Sequence, residues 1–226
     1  PGIYSLTSYT MEEKVSRECI LSDEVDVIID VADASSLERN LYLTLQLIEL
    51  GKPVVLALNM MDIVEERGME IDLHRLPEML GIPVIPVSAR KETGLSILMH
   101  AVAHHKDVLH QDPLIHHHPG LHSKHRHDHH AEYTMVYTDD IEDKIDILIE
   151  RITHTYPDFP NKRWLAIKYM EKDTSASEQW PLDTSDILDC SYEKDLINQK
   201  YDFIEEIIGE TLVNKSSREE RTDRID

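Results

Sequence analysis

Residues 53–62, PVVLALNMMD, decide the fold and the first functional interpretation of this chain. The apolar run after Pro53 is short and rich in β-branched residues, which predicts a strand. It delivers Asn59 and Asp62 in an N-x-x-D pattern at its carboxyl end. Open α/β sheets bind ligands at the carboxyl ends of their strands, so we expect both side chains to lie at a ligand site.

Strand and helix signals alternate on both sides of this stretch. Ser35 or Ser36 can cap a helix that Gly51 ends, and Asp72 can cap a shorter one. Such alternation predicts an α/β fold with a parallel sheet and right-handed crossovers. The predicted elements are strands at 26–31, 53–58 and 82–88 and helices at 35–50, 72–80 and 94–105.

The composition changes after the last of these helices. Residues 104–130 hold eleven of the fourteen histidines, interrupted by proline and glycine, and predict a loop or hinge. Three amphipathic patterns follow and predict helices at 139–155, 162–173 and 190–214. We interpret this part of the chain as a separate, small all-α domain.

The N-x-x-D spacing suits recognition of a guanine base. A carboxylate such as that of Asp62 accepts hydrogen bonds from the ring N–H and the exocyclic amino group of guanine together, and adenine lacks that edge. Asn59 is expected to brace the loop and to reach the opposite edge of the base. The pattern is short, however, and a four-residue motif with two free positions also arises by chance.

A second loop strengthens this interpretation. The third predicted strand ends on Ser88, Ala89 and Arg90, and the small Ala89 lets backbone N–H groups approach a base oxygen closely. Either loop alone is better explained by Asn59 or Ser88 turning the chain after a strand. Two such loops at consecutive strand ends together favour a guanine pocket.

The composition excludes several other functions. The formal net charge of -21 repels phosphate backbones, so we expect no nucleic-acid partner. Cys19 and Cys190 lie far apart, which suggests neither a disulfide framework nor a thiolate zinc site. The apolar runs are shorter than the roughly 20 residues of a membrane-spanning helix, so we expect these 226 residues to be soluble.

Longer stretches resemble one family. The opening Pro1-Gly2 looks like the end of the D-x-P-G turn of GTPases, and residues 3–21 follow it in the manner of a switch segment. Together with residues 31–62 and with SARKETG at 88–94, the pattern resembles the GTPase domain of the ferrous iron transport protein B family. A weaker resemblance to the family's helical regulatory domain continues to the closing RTDRID.

The resemblance implies a fold, a location and partners. The fold class is a partial P-loop GTPase-like parallel sheet, its C-terminal half, followed by a small all-α domain. GTP or GDP would bind, with magnesium in the parent protein, at the cytoplasmic face of the bacterial cell membrane, where the partner is the parent's transmembrane permease part. The implied domains are the C-terminal part of the GTPase domain, a histidine-rich linker and the helical domain, at residues 1–107, 108–131 and 132–226.

The resemblance also implies roles for single residues. Gly2 would offer its backbone N–H to the γ-phosphate, and Asn59 and Asp62 would read guanine. Met60 or Met61 would pack near the base, where many GTPases place a lysine stem. The second base-recognition loop would contain Ser88 and Ala89, followed by Arg90.

The phosphate-binding pattern G-x-x-x-x-G-K-[ST] matches no segment of the 226 residues. We therefore interpret the chain as cut at both ends and expect it to bind GTP poorly and not to hydrolyse it. The catalytic residues stay unknown. Residues 26–31 should form an exposed edge of a three-stranded half-sheet.

The histidine-rich segment predicts a weak, adaptable site for ferrous iron, zinc, nickel or copper, with an incidental solvated linker or a structural metal site as the alternatives. A loop of this kind loses conformational entropy on binding. The candidate ligands share this one segment and are His116, His117, His118, His122, His125, His127, His129 and His130.

Two other functions remain open at this point. A nickel metallochaperone GTPase also combines a GTPase core with histidine-rich stretches. A non-catalytic, histidine-rich metal-binding module would have lost its nucleotide function. The position of the histidines between a GTPase core and a helical region favours the iron transporter.

Overall fold

The computed structural model describes residues 3, 5–6, 10–22, 24–105 and 135–214 of the chain. Within these ranges the helices are α1 (Met11–Leu21), α2 (Leu37–Glu49), α3 (Met61–Glu66), α4 (Arg75–Leu80), α5 (Leu95–Ala103), α6 (Asp139–Thr155), α7 (Lys162–Met170), α8 (Thr174–Gln179) and α9 (Glu193–Thr211). The strands are β1 (Ile28–Asp33), β2 (Val54–Asn59), β3 (Met69–Ile71), β4 (Val84–Pro86) and β5 (Leu212–Asn214).

The three predicted strands form one parallel sheet in the order β1-β2-β4. The central strand β2 is buried along Val54–Leu58, because neighbouring strands and helices cover it. Among the described residues β1 pairs on one side only, so it lies at the edge of this sheet, as predicted. The alternating burial of β1 leaves Ile29 and Val31 exposed on one face.

Helix α2 begins after Ser36, one of the two predicted N-cap residues. The Ser36 side chain makes no capping hydrogen bond, so the predicted side-chain contact is wrong. Instead Asp33 Oδ1 accepts a hydrogen bond from the backbone N–H of Ser35 at 2.8 Å, at the start of a short 3₁₀ turn. Gly51 takes the expected left-handed conformation after the helix, with φ of 72°.

The segment interpreted as a switch contains a helix that the sequence patterns did not predict. Thr10 and Glu13 form a capping box at the start of α1, since each side chain accepts from the other residue's backbone N–H. Arg17 of α1 reaches Asp173, just before α8, at 2.6 Å. This buried ion pair attaches the N-terminal part of the chain to the helical region.

The helical region shares one continuous hydrophobic core with the α/β part. Buried side chains of α2, such as Leu41 and Leu45, belong to the same core as Ile204 and Ile207 of α9. The domain boundaries proposed from the sequence stay a prediction, but packing does not stop at them. Helix α6 has the predicted bounds. Helix α7 begins at Lys162 as predicted but ends at Met170, before Lys172, which has a left-handed backbone with φ of 54°.

Helix α9 is shorter than the pattern at 190–214 predicted. It ends at Thr211, and β5 pairs antiparallel with β3. Such a two-stranded pair of three-residue strands could not be predicted, because each strand gains its partner only through tertiary contact. The pair joins the end of α9 to the segment that follows α3.

Charged side chains are fully buried where α2 meets the helical region. Lys200 Nζ of α9 lies 3.0 Å from Glu49 Oε2 of α2 and 3.7 Å from Glu171 Oε1. The Tyr137 hydroxyl donates a hydrogen bond to Glu49 Oε1. Burial alone would lower the pKa of Lys200, but the Glu49 and Glu171 carboxylates and two nearby tyrosines together outweigh it and raise that pKa well above its ordinary value.

No helix in the described ranges combines the length and the apolar composition that crossing a bilayer requires.

Candidate nucleotide-base site

The loops after β2 and β4 meet at the carboxyl edge of the sheet. The backbone N–H of Val87 donates to the Leu58 carbonyl at 2.9 Å, which extends the strand pairing beyond β4. Past that point the N–H of Met61 donates back to the Val87 carbonyl at 3.3 Å. The two loops predicted to share a base are therefore neighbours.

Asn59 is the last residue of β2 and holds the second loop in place. Its Oδ1 accepts a hydrogen bond from the backbone N–H of Ala89 at 3.1 Å. This is the bracing contact expected from the sequence. The Nδ2 group of Asn59 carries the donors of the same side chain, so they lie beside this loop.

Asp62 lies in the first turn of α3, where a carboxylate is favoured by the helix dipole. The residue is only 3% exposed. Its Oδ1 accepts a hydrogen bond from the Ser88 hydroxyl at 2.9 Å, and Ser88 Oγ accepts in turn from the Lys91 N–H at 3.2 Å. Ser88 is thus buried beneath the carboxylate and fixes its orientation.

The second oxygen of Asp62 faces Arg90. Arg90 Nη2 lies 2.6 Å from Asp62 Oδ2 and 3.0 Å from Glu66 Oε1. Apart from this ion pair with Arg90, Oδ2 has no hydrogen-bond donor among the described residues. The Arg90 side chain itself is 62% exposed.

These contacts set the charge of the site. Burial alone would raise the pKa of Asp62, but the Ser88 hydroxyl and the positive charge of Arg90 together hold it below its usual range. The Arg90 pKa is raised, chiefly by the charge of Asp62. At neutral pH the Asp62 carboxylate is therefore ionised and acts only as a hydrogen-bond acceptor.

The two methionines between Asn59 and Asp62 have different environments. Met60 has a left-handed backbone, with φ of 65°, and its side chain is 43% exposed. Met61 packs against the hydrophobic core. Of the two candidates for an apolar contact with a base, Met60 is the one whose side chain reaches the surface beside Asp62.

The second loop closes through residues that the site prediction did not include. Ser88 and Thr93 exchange backbone hydrogen bonds of 3.1 Å in both directions. Gly94 follows with φ of 77°, and a Cβ there would lie 2.2 Å from the Pro86 carbonyl oxygen. A side chain at position 94 would therefore collide with the backbone, so the loop requires glycine there. Glu66, which pairs with Arg90, was also absent from the predicted site residues. Its spacing of four residues from Asp62 in sequence places the two carboxylates on one face of a helix.

The remaining predicted site residues lie outside the described residues. Gly2 is one of them, and the eight histidines proposed as metal ligands are the others. Within the described ranges no group of three or more His, Cys, Asp or Glu side chains is arranged to hold a metal ion. The structure thus brings together Asn59, Met60, Asp62, Ser88, Ala89 and Arg90 and leaves Gly2 and the histidine segment untested.

Two family models match the chain. The model described as "Ferrous iron transport protein B" matches residues 1–102. The model of the "FeoB cytosolic helical domain" matches residues 137–213. The matches cover the α/β part and the helical part in the order in which they occur here.

Curated relatives carry the same name. The Fe(2+) transporter FeoB of Legionella pneumophila strain Paris is 48% identical over 108 residues, which are 46% of this chain and 14% of that protein. The Fe(2+) transporter FeoB of Salmonella typhimurium strain LT2 is 46% identical over 109 residues, with the same coverage. The aligned part of the chain thus spans about one seventh of the length of these relatives.

Solved structures of similar proteins extend the match to nearly the whole chain. A GDP-bound point mutant of the S. thermophilus FeoB G-domain has a TM-score of 0.79 at 32% identity, covering 94% of this chain and 79% of that one. The mGMPPNP-bound S. thermophilus NFeoB has a TM-score of 0.74 at 34% identity, covering 92% and 76%. With both parts matched in sequence and in fold, the chain belongs to the ferrous iron transport protein B (FeoB) family.

Proposed function

We propose that this chain supplies guanine recognition for the GTP-binding domain of a bacterial ferrous iron transporter. The observation that carries the proposal is Asp62, a buried and ionised carboxylate at the carboxyl edge of the sheet. Ser88 fixes one of its oxygens, and the other is paired, among the described residues, only with the exposed Arg90. A buried acceptor in this state favours a ligand that brings its own donors.

Guanine supplies the donors that this site lacks. Its ring N–H and exocyclic amino group would both donate to Asp62, whereas adenine offers no such pair. Asn59 Nδ2 would serve the acceptor edge of the base, while its Oδ1 keeps Ala89 and the second loop in place. Met60 would cover one face of the base with an apolar side chain.

The phosphates require residues beyond these two loops. By resemblance to the family, Gly2 would contact the γ-phosphate through its backbone N–H. The family's nucleotide site also implies magnesium, and no group of three or more His, Cys, Asp or Glu side chains among the described residues could hold it. These 226 residues alone should therefore bind GTP weakly and leave it unhydrolysed, because base contacts do not replace phosphate binding.

The whole protein's role is part of the proposal. Curated relatives are named Fe(2+) transporters, and the S. thermophilus structures contain GDP or GMPPNP. We infer that the nucleotide-binding and helical parts regulate a membrane permease part from the cytoplasmic face. The matches do not support the two alternatives, a nickel metallochaperone and a metal-binding module without nucleotide function.

Exchanging Asp62 for asparagine tests the base site directly. Xanthine carries an oxygen where guanine carries the exocyclic amino group, so an amide that donates there should reverse the preference of the site. In the natural protein that contains this chain, Asp62→Asn should weaken fluorescent GDP binding by roughly 100-fold and favour XDP, since a lost hydrogen-bonding pair with charge costs about that much.

A matched control is available in Asp72. Its Oδ1 accepts from the N–H groups of His74 and Arg75 at the start of α4, so it is also an aspartate at a helix start, away from the base loops. Asp72→Asn should leave the base preference unchanged. Equal affinity of the Asp62→Asn protein for GDP and XDP at the wild-type level would contradict the guanine site.

The histidine segment needs its own measurement. We propose that residues 108–131 gather ferrous iron, zinc or nickel weakly, through the eight histidines named above. Calorimetry with zinc and with ferrous iron compares the chain with a variant that lacks residues 108–131. Heat that survives this deletion would favour a solvated linker.

A further inference from the structure

The Asp62–Arg90 pair joins a buried anion to an exposed cation. Asp62 has 3% of its side chain exposed and Arg90 has 62%. The carboxylate is fixed by Ser88 from below, whereas the guanidinium approaches from the solvent side. The cation is therefore the movable partner, and it occupies the oxygen that a base would need.

The chemistry of the two competitors is alike. In guanine, C2 with its two ring nitrogens and the exocyclic amino group forms a guanidine unit, and the N1–H and the amino group present two parallel N–H donors. A guanidinium presents the same kind of donor pair to a carboxylate. Arg90 thus places a guanidinium beside the Asp62 oxygen that guanine would use, although a single nitrogen, Nη2, makes this contact and also reaches Glu66.

We propose that Arg90 is an internal competitor of guanine: it occupies Asp62 while the base site is free and moves to Glu66 when the base binds. The inference rests on the proposed function, because it assumes that Asp62 reads guanine. In this proposal Arg90 lowers nucleotide affinity although it does not contact the base in the bound complex.

Glu66 makes the exchange feasible. It follows Asp62 by one helical turn on α3, and Arg90 Nη2 lies between the two carboxylates, at 2.6 Å from Asp62 and 3.0 Å from Glu66. Arg90 therefore keeps one anionic partner when the base displaces it. Conversely, Arg90 can return to the Asp62 carboxylate from the solvent side when the base leaves.

The competition lowers the apparent affinity for guanine nucleotides. Only the fraction of molecules in which Arg90 has left Asp62 can accept the base, and the dissociation constant rises by the inverse of that fraction. An ion pair with one exposed partner is of modest strength. Removing Arg90 should therefore tighten binding roughly two- to five-fold, the range that such a pair supports.

The test measures association and dissociation of fluorescent GDP by stopped flow, in the natural protein that contains this chain. Arg90→Ala should bind roughly two- to five-fold more tightly, mainly through faster association. Arg90→Lys should fall between the two proteins, because an ammonium carries the charge without the planar donor pair. Glu66→Gln should bind about two-fold more weakly, since Arg90 loses its alternative partner.

An Asp62→Asn background separates competition from a general change of the loop. The neutral amide in that background has no charge to hold Arg90. Adding Arg90→Ala to Asp62→Asn should therefore leave the XDP affinity unchanged, whereas Arg90→Ala in the wild-type background increases the GDP affinity. Arg75→Ala serves as a control for removing an exposed arginine, because Arg75 pairs with Glu78 and Glu210 instead.

The outcomes distinguish this inference from the function it rests on. If Asp62→Asn shifts the preference to xanthine but Arg90→Ala weakens GDP binding or leaves it unchanged, the guanine site stands and the competition is wrong. If Asp62→Asn leaves the base preference unchanged, both proposals fall. A gain from Arg90→Ala that persists undiminished in the Asp62→Asn background would also contradict the competition.

Discussion

Two carboxylate–cation pairs of this protein have similar chemistry and opposite surroundings. Glu49 and Lys200 are both buried, and the Tyr137 hydroxyl occupies the second Glu49 oxygen. Asp62 is equally buried, but its cation Arg90 is 62% exposed and is shared with Glu66. In the first pair neither partner can leave without stranding a charge, whereas in the second the cation can be exchanged for a ligand.

The difference teaches which buried carboxylate of this chain is available for binding. A carboxylate whose acceptors all face buried donors is part of the packing, and its partners are needed for folding. A carboxylate held from below and approached by solvent-side groups is a receptor. The predictions below test this distinction, beginning with the largest expected effect.

Removing Lys200 should have the largest effect on stability. Lys200→Met leaves Glu49 and Glu171 buried without this cation and should lower the free energy of unfolding by about 3 to 5 kcal/mol. Urea denaturation followed by circular dichroism measures the change. Lys194→Met, at an exposed position of the same helix, is the control and should change little.

A second variant separates the loss of the charge pair from the loss of packing. The double change Lys200→Met with Glu49→Gln removes both charges and should recover part of the lost stability, because no unpaired ion remains between them. A double variant no more stable than Lys200→Met alone would show that packing volume, and not charge, dominates at this position.

Removing the Tyr137 hydroxyl should have a smaller effect. Tyr137→Phe takes the donor from Glu49 Oε1 and should cost about 2 kcal/mol, as expected for a buried acceptor that loses its hydrogen bond. Tyr156→Phe is the matched control, because the Tyr156 hydroxyl donates to the Pro181 carbonyl at an exposed site. Equal losses for the two variants would contradict a special role of burial.

Acid should weaken the buried cluster through Glu171. Burial would raise the pKa of Glu171, but Lys168 and Lys200 outweigh it and lower the pKa below its ordinary 4.5. A lowered pKa in the folded state gives stability that is present above pH 4.5 and is lost as the pH falls through the folded value.

The measurement is urea unfolding as a function of pH. One such carboxylate contributes a slope of at most about 1.4 kcal/mol per pH unit in this acidic range. Glu171→Gln should flatten the curve there, and an unchanged slope would show that other acids carry the dependence.

The smallest effect on stability is expected for the Asp62–Arg90 pair, in which the cation is exposed. Arg90→Ala should leave the thermal midpoint nearly unchanged, because an ion pair with one solvated partner contributes little to folding. Differential scanning calorimetry checks this on the same protein used for nucleotide binding. A large drop in the midpoint would place this pair with Glu49 and Lys200, as part of the packing.

The sequence was sufficient for features that depend on local patterns. Helix α6 has the predicted bounds because its apolar period and its acidic first turn act within one segment. The nearness of Asn59 to Ala89 also followed from sequence, since consecutive parallel strands bring their carboxyl ends together.

The features that sequence could not supply depend on contacts between distant segments. Lys200 looks like a surface lysine of an amphipathic helix, and its burial depends on Glu49 and Glu171. The same holds for Arg90, which was assigned to the nucleotide loop but rests on Asp62 through a contact that no motif records. Charged residues of this kind are interpreted correctly only when their partners are known.

The antiparallel pairing of β3 with β5 links the end of the helical region to the base-reading part of the α/β fold. Asp62 lies in α3, and only the rest of that helix and a short turn separate it from β3, which holds residues 212–214 in register. The end of β5 is therefore anchored close in the fold to the segment that would read the base. Helix α9 and the segment that follows α3 thus share one point of attachment, and a displacement of β5 would have to break this pairing or carry β3 with it.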